Sequence, residues 1–470
     1  MTHSHRWTTT EVQSIKARLL QWYDKERRCL PWRGDAPPFL VSISERVTSD
    51  RSIVSPYATW VSEIMCQQTR VETVVEYYVK WMEKFPTVEA LAAADPEQVN
   101  AAWAGLGYYR RARMLHEGAK FVVEKLNGKM PQDVETLKTI PGIGPYTAGA
   151  IASVAFNVPA PLVDGNVIRV VARLRAIGAD PKHKPLLDHC WESGETLIDK
   201  NQPGDFNQAI MELGATLCSI QNPSCMTCPV QDYCHAYAES QLPLNKGERP
   251  KVDCTMCDLT RLEEWGLAGG EVTQYPLKTR KKAPRNETLN VLVLTKINSD
   301  GQMAHLMTKR PEGGLLAGQW EFPVAKISDD GEIPNYSKRK EYSDVQLLSL
   351  FDLTSMKAIE SYLKSRQDKG ELIHIFSHVK HHMGIEHIQL DESSKLDSIF
   401  PTTYSWLTQE DLTKSGLTTG MKKVLGLLNP SKRAKQTSRS SRNVKCKTES
   451  TPTIKSFFEF ASKSQLKQDK

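Results

Sequence analysis

"LKTIPGIGPYTAGAIASVAF" (residues 137–156) sets a Pro-Gly-x-Gly turn between two stretches that read as helices. Pro141 and Gly142 are expected to end the first helix, and Gly144 allows a tight approach. From Thr147 onward a run of small residues restarts a helix. Backbone amides exposed at the start of that second helix would offer donors to a phosphate, with Gly142 and Gly144 at the contact. Short glycine turns occur in many unrelated chains, so the surroundings decide what this one means.

Working outward, residues 1–237 carry helical periodicity. "TTTEVQSIKARLLQWYDK" follows a Thr cap, and "ETVVEYYVKWMEKF" and "DPEQVNAAWAGLGYYRRARMLHEGAKFVVEKL" continue the pattern. Over 238–284 the periodicity fades into a polar, basic connector. From 285 to 428 short β-branched runs ("TLNVLVLTKI", "HLMTKR", "ELIHIFSHV") predict strands, with a helix returning at "LTTGMKKVLGLL". Residues 429–470 form a Ser/Lys/Arg-rich tail expected to be disordered. The chain therefore divides into a mostly α domain, a connector, an α+β domain and a tail.

The formal charge of +6 over 470 residues is misleading as a whole. The tail holds eleven Lys/Arg against three Asp/Glu, so the rest of the chain is slightly acidic. Any nucleic-acid surface on the folded part must come from local patches and backbone donors. No apolar run has the length of a membrane span, and the first twenty residues lack the apolar segment of a secretory signal. The ten cysteines are accordingly read as reduced thiols or metal ligands. Cys218, Cys225, Cys228 and Cys234, spaced C-x6-C-x2-C-x5-C, call for a metal; tetrathiolate zinc and an iron–sulfur cluster both suit such a set.

Two carboxylates complete the pattern. Glu63 lies in "SPYATWVSEIMCQQTR", and Asp164, eighteen residues after Tyr146, lies in "LVDGNVIRVVAR". Flanking a cleft, one would protonate a leaving group and the other stabilise an oxocarbenium-like sugar. Taken singly, Asp164 also reads as a plain N-cap and Glu63 as a solvated helix residue.

Taken together, "LPWR", "VSEIMCQQT", "WAGLGYYRRARML", "PGIGPYTAGAIAS", "VDGNVIRVVARL", "GDFNQAIMELGATLC" and the cysteine loop occur in an order that resembles the MutY adenine DNA glycosylases of the helix-hairpin-helix superfamily. The resemblance covers residues 12–237 strongly and 286–428 more loosely. It implies a six-helix barrel domain with a [4Fe–4S] cluster domain, followed by a Nudix-like domain. It also implies excision of adenine mispaired with 8-oxoguanine, or with guanine, from double-stranded DNA. By matching positions, Glu63 would protonate adenine N7 and Asp164 would stabilise the sugar cation or a covalent intermediate, supported by Asn166. Tyr146 would pack against the sugar. Trp32, Val71, Gln208 and Met211 would line the adenine pocket, and Gln67 and Tyr108 would wedge into the duplex. Cys66 departs from the leucine more usual in the family. The four loop cysteines would hold the [4Fe–4S] cluster.

Tyr146 also separates this chain from lyase relatives of the endonuclease III type, which carry a lysine there as a Schiff-base nucleophile. A monofunctional enzyme that leaves an abasic site is expected, in place of a lyase or of a damage sensor that does not cut.

In the second domain "LMTKRPEGGLLAGQWEFPVAK" resembles the start of a Nudix fold. The Glu-rich stretch that holds magnesium in that fold is absent from "VAKISDDGEIPNYSKRK", residues 324–340. The resemblance therefore implies binding without hydrolysis, with Ser377 and His378 of "FSH" reaching the 8-oxoguanine. Cys254 and Cys257 form a C-x2-C in the connector, where relatives bind zinc; Ala172 stands where another ligand would be, so a nearby His or Cys190 would have to complete a site. Relatives contact the checkpoint sliding clamp through this connector. "TPTIKSFF" in the tail resembles a PCNA-binding box through Ile454, Phe457 and Phe458. "SKRAKQTSRSSR" reads as a nuclear import signal or a sequence-independent DNA contact. A monomeric nuclear protein with no membrane partner is expected, a mitochondrial pool being left open.

Overall fold

The computed structural model describes residues 5–45, 52–243, 254–265, 269–280, 283–311, 318–376, 378–391, 403–414 and 417–428. Two compact units divide the chain, Met1–Thr418 and Thr419–Lys470. Among the described residues no helix is long and apolar enough to cross a membrane.

The helical part begins with α1 (Thr9–Glu26), opened by a capping box in which Thr8 and Glu11 satisfy each other's backbone amides. After it, the Arg27 guanidinium grips both oxygens of Asp35 at 2.7 and 2.8 Å, and Asp35 also accepts from the Leu30 amide at 2.9 Å. That buried pair fixes the "LPWR" turn. Beyond it lie α2 (Pro56–Cys66), α3 (Val71–Lys84), α4 (Val88–Ala93), α5 (Pro96–Ala102), α6 (Arg110–Leu126), α7 (Val134–Leu137), α8 (Pro145–Phe156), α9 (Gly165–Leu174), α10 (Lys184–Leu197), α11 (Pro203–Ala215), α12 (His235–Ser240) and α13 (Leu262–Trp265).

Two apolar cores organise these helices. One gathers Trp60, Val61, Trp81, Trp103 and Leu115 from α2, α3, α6 and the α5–α6 loop. The other gathers Ile15, Leu19, Val171, Leu186, Phe206 and Leu213 from α1, α9, α10 and α11. The small side chains of α8 serve both: Ala148, Ile151 and Ala152 belong to the first and Ala150 to the second. A helix so poor in bulk can be packed from two sides at once, and its N-terminus, with Tyr146, opens where the cores meet.

The structure corrects two details of the helical reading. The first hairpin helix is the single turn α7, which ends at Leu137 and not at Pro141 and Gly142. From there the chain runs as tight turns whose amides bond three residues back, as at Ile140 and Ile143. Gly142 has φ +85°, and a Cβ there would lie 2.9 Å from that of Met114. Second, the stretch read as one helical run after Asp95 breaks over 103–109, because Gly105, Gly107 and Tyr108 all take positive φ (100°, 77° and 50°).

The sheet part is built on β1 (Arg285–Ile297), β2 (Met303–Lys309), β3 (Trp320–Glu321), β4 (Val324–Ser328), β5 (Leu363–Phe376), β6 (Val379–Leu390) and β7 (Tyr404–Thr408). The seven strands run β3-β2-β1-β6-β5, with β4 pairing β1 and β7 pairing β2. The long β1–β6 pairing is parallel, Val291 opposite Ile385, and the other strand pairs among the described residues are antiparallel, which gives a mixed sheet. Helices α14 (Tyr336–Leu350) and α15 (Met356–Glu360) cover one face, where Leu347, Leu350, Phe351 and Ile359 meet Leu292, Leu294, Leu306, Ile388 and Leu390. The helix α16 (Gln409–Lys414) comes after β7. The second unit contributes α17 (Thr419–Leu428), at the place where a returning helix was expected.

Candidate active site and metal centres

Glu63 sits on α2, a helix started by Ser55 as N-cap and Pro56 at its first position. Tyr146, at the start of α8, donates its hydroxyl to Glu63 Oε2 and also lies 3.4 Å from the Met211 sulfur. Asp164 is the N-cap of α9: its Oδ1 accepts from the Asn166 and Val167 amides at 2.9 and 2.8 Å, and its Oδ2 from the Asn166 side chain at 2.8 Å. The plain N-cap reading of Asp164 is therefore true, and it coexists with a place close enough to Glu63 and Tyr146 for its charge to act on both. Asn166 is itself held by Arg169, which bonds its Oδ1 at 2.8 Å and the carbonyl of Cys218 at 2.8 Å.

The electrostatics separate the acids of this pocket. Burial pushes Glu63 up to about 7, helped by the nearby Asp164 charge and opposed by the Tyr146 hydrogen bond and by Arg33. Burial also raises Asp164, while its amide and side-chain donors pull the other way. Tyr146, desolvated and facing both carboxylates, is held far into its protonated form. Cys66 lies among the same groups, and burial together with the Glu63 charge keeps it a neutral thiol.

Arginine chemistry behind the pocket escaped the sequence reading. Arg33 donates to the Gln208 side-chain oxygen at 3.2 Å, to Glu212 at 3.0 Å and to the Arg28 carbonyl at 3.0 Å. Arg28 adds 2.8 and 3.1 Å bonds to the same Glu212. Despite its burial, Glu212 is brought down to about 2 by these two cations. An arginine has only donors, so Gln208 must turn its oxygen to Arg33, which leaves its NH2 group free to donate elsewhere. The signal was present in the quoted "LPWR" and "IMELG", but nothing in their spacing pairs residues 179 positions apart.

The remaining residues expected at the adenine and the duplex are placed on the following elements. Trp32 packs edge-on against Tyr78 at 5.4 Å, and Val71 borders the same core. Gln67 follows α2 as an exposed C-cap, and Tyr108 is 57% exposed on its positive-φ loop. Gly144 is the N-cap of α8, and a Cβ there would meet nothing within 4 Å.

The two cysteine groups differ in geometry. The four loop cysteines line one pocket with Val170, Leu213, Val230 and Tyr237. Among the described residues, no three of their sulfurs come within 4.8 Å of one another. Four thiolates on one short loop are a donor set that fits a tetrahedral zinc or an iron–sulfur cluster. Arg173 caps the loop, reaching Cys218 Sγ at 3.3 Å and the carbonyls of Ser219 and Ile220 at 2.6 and 3.0 Å. By contrast, His5, Cys254 and Cys257 do converge within 4.8 Å. His5 Nε2 lies 3.2 and 3.5 Å from the two sulfurs, and its Nδ1 donates to the Arg175 carbonyl at 2.7 Å. That second bond fixes the tautomer that presents a lone pair to a metal. The expected completing ligand is thus a histidine, and Cys190 is not part of the group.

In the sheet part, His378 is exposed in the β5–β6 turn, and its carbonyl accepts from the Arg285 amide at 3.0 Å. Ser377 and the tail residues Ile454, Phe457 and Phe458 lie outside the described residues. No three carboxylates converge among the described residues.

Comparison with known proteins gives the class. Residues 61–196 match the model of the HhH-GPD superfamily of base excision DNA repair proteins, and residues 292–427 match a NUDIX domain. With a carboxylate pair at the mouth of its hairpin, the molecule is a DNA N-glycosylase of the helix-hairpin-helix superfamily. The chain is 42% identical to the mouse adenine DNA glycosylase over 88% of its own length and 78% of that protein. It is 40% identical to the rat and the human enzymes, again over 88% of this chain, with 78% and 74% of theirs. The chain belongs to the adenine DNA glycosylase family, hydrolases of base-excision repair.

Proposed function

We propose that this enzyme removes adenine paired with 8-oxoguanine, and more weakly with guanine, by protonation at N7. The observation that carries the reading is Glu63, pushed to about 7 beside Asp164 and joined to Tyr146. Such a carboxyl holds a proton at neutral pH in a large fraction of molecules, unlike an ordinary glutamate. The adenine is turned out of the duplex at a cost of about a few kcal/mol. Gln208 donates its NH2 to the purine edge, between Trp32, Val71 and Met211. Glu63 gives its proton to N7, the N9–C1′ bond breaks, and the electron pair leaves with the base. Asp164, steadied by Asn166, stabilises the sugar cation or bonds to it transiently until water adds. Tyr146 has no amine, so no Schiff base forms and the product is an abasic site. Adenine release from an A:8-oxoguanine duplex under single turnover tests this. Equal release from A:T, or strand nicking one-to-one with adenine release, would refute it.

The four loop cysteines would hold a [4Fe–4S] cluster, supported by their spacing and by the match of residues 61–196 to the HhH-GPD superfamily, and the cluster would order the loop behind α9. His5, Cys254 and Cys257 would hold zinc. Metal analysis should find iron lost in Cys228→Ser and zinc lost in Cys254→Ser/Cys257→Ser, each without the other. Ser377 and His378 would contact the 8-oxoguanine. Ser377→Ala/His378→Ala should then lose the preference for A:8-oxoguanine over A:G. The connector is assigned to the checkpoint sliding clamp and the tail to PCNA. An unchanged PCNA pull-down with Phe457→Ala/Phe458→Ala would remove the latter. The basic tail fits a nuclear enzyme, which a fluorescent fusion lacking residues 429–470 would test.

A further inference from the structure

Gln67 and Tyr108 come from separate loops, one between α2 and α3 and the other between α5 and α6, yet a single guanidinium holds both. Arg111, in the first turn of α6, sends Nη1 to the carbonyls of Ile64, Met65 and Gln67 at 3.0, 2.9 and 2.5 Å. Its Nη2 reaches the Thr69 hydroxyl at 3.1 Å and the carbonyls of Leu106 and Gly107 at 3.4 and 3.2 Å. The same group lies over the rings of Trp103 and Tyr108, at 5.2 and 5.5 Å.

The acceptors on the first loop are carbonyls at the end of α2, which have no helical donors of their own and favour a cation. Both loops also contain a non-glycine residue in the left-handed region, Gln68 at φ 56° and Tyr108 at φ 50°. Residues hold that conformation only where their surroundings over-determine it. Here the tie is shared: whatever moves one loop must break bonds that also hold the other. The outward side chains remain free to act, since Gln67 and Tyr108 are both exposed.

Resting on the reading that Gln67 and Tyr108 enter the duplex, we infer that Arg111 is a positioning residue that couples the two loops, so that the two side chains work as one wedge. A lysine would keep the charge at the end of α2 but lacks the planar fork needed to span both loops. The test is a double-mutant cycle read by base extrusion, using a fluorescent 2-aminopurine reporter opposite 8-oxoguanine. Gln67→Ala and Tyr108→Ala should each lower extrusion, and the double variant should be little worse than the poorer single. That corresponds to a coupling of about tenfold, within the range for residues sharing a network. In an Arg111→Lys background the coupling should fall to near unity, while affinity for undamaged duplex stays unchanged. A defect of folding alone would scale every value without removing the coupling. Large single effects that multiply independently in the parent protein would overturn the role of Arg111 and leave the wedge standing, as would coupling that survives Arg111→Lys. Single changes without effect on extrusion would instead overturn the wedge. Should Arg111→Lys fail to fold, the parent cycle alone decides.

Discussion

The helical part and the sheet part both bury carboxylates, and two acids of the helical part are treated differently from the rest. In the sheet part the buried acid Glu386 is matched by a cation, as are the more exposed Asp344 and Asp368. Arg366 bonds both oxygens of Glu386 at 2.9 and 3.1 Å and reaches Asp344 at 2.6 Å, while Arg339 holds Asp368 at 3.0 and 3.1 Å. In the helical part Glu63 and Asp164 form no ion pair among the described residues and receive hydrogen bonds from neutral donors instead. The contrast recurs inside the pocket itself. Glu212, with Arg28 and Arg33, is brought down to about 2, whereas Glu63 is pushed up to about 7. Glu63, Glu212 and Glu386 are all at least partly buried; the cation beside an acid separates a carboxyl that holds structure from one able to carry a proton near neutrality.

The sharpest way to break this comparison is to remove the unpaired acid. Glu63→Gln should lower single-turnover adenine release by about 10³-fold, within the range for a lost general acid, while lesion-duplex affinity is retained. A loss under tenfold would make Glu63 another structural acid. Next in size, Glu212→Ala leaves Arg33 buried without its partner and should destabilise the fold by about 3–5 kcal/mol, read from denaturant unfolding. An unchanged midpoint would mean that the pairing holds nothing.

The pH profile should show a smaller, graded effect. With Glu63 as the proposed acid and its carboxyl pushed up to about 7 by burial, adenine release should fall about tenfold per pH unit well above that value. A rate flat from pH 7 to 9 would place the proton elsewhere. Smallest of all, Asp344→Asn loosens a half-exposed pair in the sheet part and should cost no more than about 1 kcal/mol. Adenine release should not change, and a slower rate there would blur the division between the two regions.

Much of this was readable in the chain. The hairpin, the cysteine loop and both proposed catalytic acids lie in short local motifs whose order is distinctive, and the switch to strands near 285 shows as a change of period. What escaped was long-range or set by single residues. His5 meets Cys254 across 249 positions and Arg33 meets Glu212 across 179, separations that no periodicity records. The break at 103–109 comes from backbone angles that a good helical pattern on both sides conceals. Zinc and iron–sulfur could not be told apart by spacing alone, because the spacing constrains the loop and not the distances between its sulfurs.

The empty space around Gly144 bears on how variants of such a chain should be judged. An alanine there touches no part of the protein, and at φ −95° it strains no backbone. A survey that ranks substitutions by abundance or melting temperature would score the change as harmless. Were a DNA phosphate to bind the α8 amides, as the hairpin reading expects, a methyl group in that open space would crowd it, and the harm would surface only as unrepaired mispairs. At this position, tolerance of the fold and tolerance of the genome are different quantities.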